Sequence, residues 1–363
     1  MIKPPEYIST LRPYAPGKPV EELERELGIR DSVKLASNEN PIGPSPMALK
    51  VLIDSLINSR PSMSINRYPD GSGYLLKKEL SLKLSVDEDE IIIGNGSNEL
   101  IDIAVRTFLQ PGDEAIMANP SFVVFPMSVQ ALGSKPIQIP LKSYTHDLEA
   151  MADAVTERTK MIFIANPNNP TGTINRKGEF ERFMDRLKEG VLVVSDEAYY
   201  EYVTTPDYPD TMKYFKNGRD ILILRTFSKI YGLAGLRIGY GIAIKDIIKE
   251  MDKIRPPFNT NTLAQNAAIY ALRDHDHLSR SKEINENGKL YLYKELDSLN
   301  IQYVPTEANF IYILLGRDSN IFYKEMLRQG VIIRPVGPQE IRVTIGLPEE
   351  NERFIKALKK VIG

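Results

Sequence analysis

Lys229 stands in the segment of this 363-residue chain whose residue types are best suited to chemistry. It closes the sequence Thr226-Phe227-Ser228-Lys229, directly after an apolar run, and Arg237 follows a glycine-rich stretch. Hydroxyls, a guanidinium and a helix N-terminus together can bind a phosphate, and a lysine beside a bound aldehyde can form a Schiff base. A single lysine is usually a solvated surface residue, so the prediction of a ligand site depends on these neighbours.

A glycine turn supplies a second place for a phosphate. Ser97 and Asn98 open a predicted helix after Gly94-Asn95-Gly96, where free backbone N–H groups suit an anion. Glu99 stands where a dinucleotide fingerprint needs its third glycine, which argues against a Rossmann NAD site. Taken alone, this turn would be interpreted as a polar helix cap.

Two further segments follow apolar strands. Asn166-Pro167-Asn168-Asn169-Pro170-Thr171-Gly172 has two prolines and a glycine that would hold the amide of Asn169 rigidly; a rigid surface loop is the alternative. Asp196 ends the run Val191–Ser195 and precedes Glu197-Ala198-Tyr199. A carboxylate there is costly to desolvate unless it meets a cation, and a helix cap is the alternative interpretation.

Alternating strands and helices are expected to position these segments. From Val86 onward the pattern is typical of parallel strands joined by crossovers, with helices on both faces of the sheet. Such sheets bind ligands at the carboxyl ends of their strands. The predicted strands are Glu90–Gly94, Ala115–Ala118, Lys160–Ala165, Val191–Ser195, Ile221–Thr226 and Ile238–Ala243; the predicted helices are Asn98–Leu109, Phe122–Leu132 and Lys177–Lys188.

A second, smaller α+β unit is expected after the stiff break at Arg255-Pro256-Pro257. Five prolines within residues 1–19 predict an extended N-terminal arm, followed by a short helix at Val20–Leu27. We therefore expect an arm (1–44) that packs with the small domain and a partner subunit, a large domain (45–260) and a small C-terminal domain (261–363). In the small domain the predicted strands are Asn309–Leu315, Val331–Arg334 and Ile341–Ile345, and the predicted helices are 262–273, 278–299, Asn320–Gln329 and Glu349–Val361.

The composition disfavours several classes of site. Without cysteine the chain cannot form disulfides or thiolate metal sites, and three histidines cannot easily build a metal centre, so no metal is expected. A net charge of −2 without a basic stripe disfavours nucleic acid as a partner. Residues 1–15 lack the pattern of a signal peptide, and no apolar run reaches eighteen residues. The expectation is a cytoplasmic protein with no membrane partner.

Taken together, the four segments resemble the fold-type I pyridoxal-phosphate-dependent aminotransferases, in the order in which that family has them. The resemblance implies pyridoxal 5′-phosphate as cofactor and an α/β fold with a mostly parallel central sheet. Further segments are similar to the histidinol-phosphate aminotransferase branch, which converts L-histidinol phosphate and 2-oxoglutarate into imidazole-acetol phosphate and L-glutamate. These segments are Leu11-Arg12-Pro13-Tyr14, Leu35-Ala36-Ser37-Asn38-Glu39-Asn40-Pro41, Asn66-Arg67-Tyr68-Pro69-Asp70 and Glu307-Ala308-Asn309-Phe310.

The resemblance also implies a role for each residue at the cofactor. Lys229 would anchor the cofactor and then move the proton, and Asp196 would keep the pyridine nitrogen protonated. Asn169 and Tyr199 would donate hydrogen bonds to the ring oxygen, and Phe122, where many relatives carry Tyr, would stack on the ring. The residues expected to hold the phosphate are Ser97, Asn98, Thr226, Ser228 and Arg237, with Tyr68 reaching in from the second subunit of a homodimer.

At the substrate, Arg342 matches the carboxylate-binding arginine of the family and would grip a phosphate in the other half-reaction. Arg334 and Tyr14 match further contacts to that phosphate, and Asn38 belongs to the same substrate site. Two alternatives remain on the same scaffold: an aromatic or broad-specificity aminotransferase, and a threonine-phosphate decarboxylase. The aminotransferase-like domain of a transcription regulator is disfavoured, because only the proline-rich arm precedes residue 40.

Overall fold

The computed structural model describes residues 2–14, 17–57 and 65–362. Short 3₁₀ turns lie at Glu88–Glu90, Tyr200–Tyr202 and Ala234–Leu236. The helices are α1 (Glu6–Ser9), α2 (Val20–Leu27), α3 (Pro46–Ile57), α4 (Tyr74–Leu84), α5 (Ser97–Phe108), α6 (Val124–Ala131), α7 (Leu148–Asp153), α8 (Lys177–Arg186), α9 (Thr211–Lys216), α10 (Lys245–Ile254), α11 (Thr262–Arg273), α12 (His275–Ser298), α13 (Ser319–Arg328) and α14 (Pro348–Ile362).

A large sheet, seven strands wide over the described residues, dominates the first two thirds of the chain. Its strand order is β2-β8-β7-β6-β5-β3-β4; β3 to β7 pair in parallel, while β8 runs antiparallel to both of its neighbours. The strands of the chain are β1 (Val33–Lys34), β2 (Ile91–Gly94), β3 (Glu114–Asn119), β4 (Lys135–Pro140), β5 (Thr159–Ala165), β6 (Leu192–Asp196), β7 (Ile221–Thr226), β8 (Gly239–Ile242), β9 (Gln302–Val304), β10 (Phe310–Leu314), β11 (Val331–Ile332), β12 (Arg334–Pro335) and β13 (Glu340–Thr344). The mostly parallel sheet is confirmed, but the expectation that Ile238–Ala243 forms one of its parallel strands is wrong, because β8 is antiparallel.

Apolar cores cover both faces of this sheet. The side chains of β2 alternate between them: Ile91 and Ile93 belong to one core and Ile92 to the other. Residues of α8 and α11 complete the first core, and residues of α5 and α10 complete the second. Each large apolar side chain that is fully buried here contributes about 1.5–3 kcal/mol, so the strands are held firmly and their carboxyl ends form a rigid edge.

Strand β4 was missed in the sequence analysis. Its sequence, Lys135-Pro-Ile-Gln-Ile-Pro140, contains two prolines and exposed side chains, which argue against a central strand. The strand lies at the edge of the sheet, where a missing N–H donor costs nothing. The helices α3, α4, α7, α9 and α10 and the strand β9 were not predicted either.

The C-terminal part of the chain forms an antiparallel sheet with the order β12-β13-β10-β9. Its core contains Phe322 and Phe354 from α13 and α14. The N-terminal segment joins this unit, because β1 pairs in parallel with β11 and Leu23 packs against Ile332. The arm is not extended throughout, since α1 interrupts it and contacts α6.

The domain boundaries remain a prediction, and one helix bears on them. Helix α11, which follows the expected boundary at residue 260, places Ala264, Ala268 and Leu272 in a core of the large sheet. Among the described residues, none of the helices combines the length and apolar content that crossing a membrane requires.

Candidate active site

A cavity of about 600 Å³ lies at the carboxyl ends of the parallel strands β5, β6 and β7. Most of the residues that the sequence singled out line it, although they come from segments more than 300 residues apart. The predicted site residues at its wall are Tyr14, Asn38, Ser97, Asn98, Phe122, Asn169, Asp196, Tyr199, Thr226, Ser228, Lys229, Arg237 and Arg342.

Lys229 projects from the turn after β7 toward the centre of the site. Its Nζ donates a hydrogen bond to the carbonyl oxygen of Ser37 at 3.3 Å and lies 5.5 Å from the centre of the Tyr199 ring. Burial lowers the pKa of the ammonium to about 8, and the guanidinium groups of Arg342 and Arg237 act in the same direction. A far larger fraction of this amine than of a solvated lysine is therefore neutral, and nucleophilic, near neutral pH.

Asp196, the last residue of β6, is 6% exposed. One carboxylate oxygen, Oδ1, accepts a hydrogen bond from the N–H of Ala198 at 3.1 Å, and the described residues give Oδ2 no donor. Burial raises the pKa of this carboxyl to about 6, although the N–H of Ala198 and the charge of Lys229 oppose the shift. A cation from a ligand would stabilise the ionised form of such a carboxylate.

Tyr199 and Asn169 lie side by side with their polar groups directed at each other. The Tyr199 hydroxyl accepts hydrogen bonds from Nδ2 of Asn38 at 2.9 Å and from Nδ2 of Asn169 at 3.4 Å. The Oδ1 of Asn169 accepts a hydrogen bond from Nη1 of Arg342 at 2.6 Å, and this contact fixes the orientation of the amide. Burial raises the pKa of Tyr199, so the phenol stays protonated and can donate.

The other end of the cavity is built for an anion. Arg237 Nη1 contacts Ser228 Oγ at 3.3 Å, and Thr226 Oγ1 accepts from the N–H of Ser228 at 3.0 Å. Helix α5 begins at Ser97 after Gly96, whose φ of +78° favours glycine. A Cβ at Gly96 would lie 2.5 Å from Nη2 of Arg237, so the close approach of the guanidinium to the helix N-terminus depends on this glycine. Asn98 and Phe122 line the wall nearby.

Arg342 and Arg334 lie opposite each other on the paired strands β13 and β12. Nη1 and Nη2 of Arg342 are bound by Asn169 and by the carbonyl of Ala36, while its buried Nε has no partner among the described residues. The guanidinium of Arg334 lies 5.3 Å from the centre of the Tyr14 ring. Both arginines line an adjoining cavity of about 670 Å³, but Arg334 does not reach the first one.

Tyr68 lies outside both cavities. Its side chain is 82% exposed and stacks on Phe258 with ring centres 4.8 Å apart. Within one chain, therefore, Tyr68 cannot contact a ligand in the site; its predicted role requires a second subunit.

Several groups that hold the site together were missed. The carbonyl of Ser37 and the N–H of Ala198 are backbone groups, so the residue types at these positions do not reveal their roles. Thr344 Oγ1 accepts a hydrogen bond from the N–H of Asn38 at 2.9 Å, and Nδ2 of Asn309 donates one to the carbonyl of Asn38 at 3.0 Å. The signal for Asn309 was present, because it lies in one of the segments that resemble the family.

The arrangement fits pyridoxal phosphate. The unpaired Oδ2 of Asp196 suits a protonated ring nitrogen, Lys229 suits the aldehyde, and the serine, threonine and arginine side chains around the start of α5 suit the phosphate. The donor set contains no group of three or more metal-ligating side chains among the residues described.

Comparison with known proteins agrees with this fit. The model of the family "Aminotransferase class I and II" matches residues 30–358. The histidinol-phosphate aminotransferase of Moorella thermoacetica is 47% identical over 99% of this chain and 92% of that protein. Histidinol-phosphate aminotransferase 1 of Nitrosococcus oceani is 47% identical over 98% of this chain and 95% of its own length.

A solved structure extends the similarity to three dimensions. The histidinol-phosphate aminotransferase from Sinorhizobium meliloti, solved in complex with pyridoxal-5′-phosphate, has a TM-score of 0.89 and 27% identity, covering 100% of this chain and 98% of that one. The fold-type I architecture predicted from the sequence is thereby confirmed. The chain is therefore a pyridoxal-phosphate-dependent enzyme of the class I and II aminotransferase family and, within it, a member of the histidinol-phosphate aminotransferases.

Proposed function

We propose that the enzyme transfers the amino group of L-histidinol phosphate to 2-oxoglutarate, giving imidazole-acetol phosphate and L-glutamate, as a step of histidine biosynthesis. One observation carries the choice of substrate: Arg334 and Arg342 are direct partners across two paired strands. Like charges in that position repel: burial lowers the pKa of Arg342, and the charge of Arg334 acts in the same direction. A substrate phosphate bound between them would relieve this repulsion, and the names of the relatives agree with such a substrate.

Pyridoxal phosphate, when bound, supplies an aldehyde for exchange with the amino group and a protonated ring that withdraws electrons. Lys229 Nζ is the amine placed to hold this cofactor, and its lowered pKa lets it take up and return the proton at the substrate Cα. The carboxylate of Asp196 holds the proton on the ring nitrogen. Tyr199 and Asn169 donate to the ring oxygen, with the amide of Asn169 oriented by Arg342.

At the opposite end, the N–H groups at the start of α5 and the side chains of Thr226, Ser228 and Arg237 bind the cofactor phosphate. Arg342 binds the carboxylate of glutamate or the phosphate of the other donor. Arg334, with Tyr14 against it, reaches the substrate phosphate through the adjoining cavity. Asn38 completes the substrate side, held by Thr344 and Asn309.

A substrate panel with the purified enzyme tests this proposal. Histidinol phosphate, phenylalanine, tyrosine and threonine phosphate are each supplied with 2-oxoglutarate, and glutamate and carbon dioxide are measured. We expect histidinol phosphate to give the highest kcat/KM without release of carbon dioxide. A preference for phenylalanine would point to the aromatic aminotransferase, and carbon dioxide from threonine phosphate to the decarboxylase.

Variants at the two arginines refine the test. A charge-assisted contact is worth about 1.5–3 kcal/mol, or one to two decades in kcat/KM. Arg334→Ala should therefore lower kcat/KM for histidinol phosphate by about 10- to 100-fold but affect glutamate much less, whereas Arg342→Ala should impair both donors. Arg176→Ala, which removes an exposed ion pair with Asp207, serves as control. Equal losses for the two donors in Arg334→Ala would contradict the role given to Arg334.

A homodimer with shared sites belongs to the same proposal, as does a cytoplasmic location. The homodimer is supported by an apolar surface on α3, where four side chains at helical spacing are 46–72% exposed: Leu49, Ile53, Leu56 and Ile57. Tyr68 is exposed as well, in the stretch that joins α3 to α4. A second copy that covers this surface would bring Tyr68 toward the cofactor phosphate of its partner.

A further inference from the structure

Glu197 and Arg225 form a buried ion pair that none of the roles above uses. Nε and Nη2 of Arg225 lie 3.0 and 2.8 Å from Oε2 of Glu197, and the two side chains are 7% and 0% exposed. The second carboxylate oxygen of Glu197 accepts a hydrogen bond from Thr211 Oγ1 and, at 3.4 Å, another from Ser195 Oγ. The carboxylate is thus fully enclosed and has hydrogen bonds on both oxygens.

Stability alone does not account for such a pair. Bringing two charges out of water costs about as much as their attraction returns, so apolar side chains of the same volume would serve the fold equally well. The place of the pair in the chain gives a different reason for it.

Each member of the pair is the direct neighbour of a site residue. Glu197 follows Asp196, and Arg225 precedes Thr226. The N–H of Glu197 also donates to the carbonyl of Leu224 at 2.8 Å, which extends the pairing of β6 and β7 to this point. The ion pair therefore connects two parts of the site. One is the turn after β6, which carries the carboxylate of Asp196, and the other is the end of β7, which carries the phosphate-binding hydroxyl of Thr226.

A third loop is attached to the same group. The guanidinium of Arg225 lies 3.9 Å from the centre of the Tyr200 ring, and the Tyr200 and Tyr208 rings are 5.8 Å apart. The hydroxyl of Tyr208 donates a hydrogen bond to the carbonyl of Asn166. Asn166 begins the loop that carries Asn169, so contacts from one guanidinium extend to all three loops that follow β5, β6 and β7.

We propose that the Glu197 cluster, formed by Glu197, Arg225, Thr211, Tyr200 and Tyr208, is a set of positioning residues that fixes Asp196, Thr226 and Asn169 relative to one another. By the roles proposed above, the cofactor would contact all three of these residues at once, so a rigid spacing between them would preorganise the site. The inference rests on the cofactor roles proposed above and is independent of which amino donor the enzyme prefers.

Two variants of different severity test the cluster. Glu197→Gln keeps the shape but removes one charge of the pair, and Tyr208→Phe removes only the hydroxyl that holds Asn166. Arg176→Met, which breaks the exposed ion pair with Asp207, is the matched control. The readouts are the Kd of the apoenzyme for pyridoxal phosphate as a function of pH, the melting temperature of the apoenzyme, and kcat.

We expect Glu197→Gln to weaken cofactor binding by about tenfold or more, because a buried guanidinium is left without its partner. The groups facing Asp196 are Lys229, Tyr199, Glu197 and the N–H of Ala198, and of these the charge of Glu197 raises the pKa of Asp196. The acid-side pH at which the apoenzyme loses affinity for the cofactor should therefore be lower in this variant. A residue that only stabilises the fold would leave both quantities unchanged.

Tyr208→Phe should lower kcat severalfold while its Kd for the cofactor stays within about threefold of the parent, since only the Asn169 loop is released. If Glu197→Gln cannot be recovered folded, this variant decides alone. Values of Kd and kcat that stay within twofold of the parent in the folded variants, as in the Arg176→Met control, would overturn the inference. Failure of the parent enzyme to use histidinol phosphate would instead count against the proposed substrate.

Discussion

Burial brings the proton affinities of Lys229 and Asp196 unusually close together. The pKa of the lysine falls to about 8 and that of the carboxyl rises to about 6, so both groups titrate near neutral pH. In each case the cause is a charge that has lost its water, and the proposed cofactor compensates both losses. Lys229 would hold the aldehyde of that cofactor, and a protonated ring nitrogen would be the cation that Oδ2 of Asp196 lacks among the described residues.

Asp196→Asn should therefore stabilise the apoenzyme while it removes activity. Because the folded carboxyl has the higher pKa, the folded protein keeps a proton between about pH 4 and 6 that the unfolded chain has released. The stability of the parent falls as the pH rises through this window, whereas that of the variant does not. A shift of about two pH units corresponds to about 3 kcal/mol, so the variant should melt higher at pH 7 and equally at pH 4.

Thermal unfolding of the apoenzymes at pH 4, 5, 6 and 7 measures this difference. Asp185→Asn on the exposed side of α8 is the control for the loss of a carboxylate elsewhere in the chain. A variant that melts below the parent at pH 7 would show that Asp196 stabilises the fold as an ordinary cap.

Among the elements, the turn that enters α5 makes the most specific demand on sequence. Gly96→Ala should weaken the binding of pyridoxal phosphate by about tenfold, because a Cβ there meets the guanidinium of Arg237 and disfavours the left-handed backbone. Gly235→Ala is a close control, since its Cβ would enter open space two residues from Arg237. Spectroscopic titration of both apoenzymes gives the two Kd values, and equal values would rule out this role for Gly96.

Central elements were predictable from the sequence, whereas elements at edges and on the surface were not. Strands β5, β6 and β7 are buried on every residue or nearly so, and continuous apolar runs reveal them. The prolines of β4 and the mixed surface of α4 gave no such signal. The direction of β8 depends on a chain reversal between Lys229 and Gly239, which local pattern does not encode.

The site, like the fold, was predictable from the sequence only in part. Side chains at or just beyond the ends of buried strands, such as Asp196 and Lys229, were found from position and residue type. The pairing of Arg334 with Arg342 and the carbonyl that receives Lys229 are products of tertiary structure. The resemblance to a family supplied Arg334, Tyr14 and Tyr68, whose sequence surroundings carry no physical signal of their own.

For the whole molecule, the exposed apolar surface on α3 and the position of Tyr68 together predict complementation between two inactive or weakened chains. Tyr68→Ala should impair the site of the partner, and Lys229→Ala should disable the site of its own chain. When the two variants are unfolded together and refolded at equal amounts, half of the dimers are mixed and each contains one intact site, so about a quarter of all sites regain full function.

Activity of the refolded mixture, compared with each variant refolded alone, measures this recovery. A mixture of Lys229→Ala with Asp196→Asn is the control. Both of these changes fall in the site of their own chain, so mixed dimers gain no intact site. A mixture of Tyr68→Ala and Lys229→Ala that merely averages its components would show that Tyr68 serves its own chain or no site at all.

The pairing of β1 with β11 has a consequence for the protein while it is being synthesised on the ribosome. Val33 and Val331 are neighbours in space, but a ribosome that adds 5–20 residues per second makes the second about 15–60 s after the first. During that interval the apolar Leu23, Leu35 and Ala36, which end up buried against the C-terminal unit, lack their partners from that unit, such as Ile332. We therefore expect a chaperone that binds exposed apolar segments to stay longest on the N-terminal segment of the nascent chain.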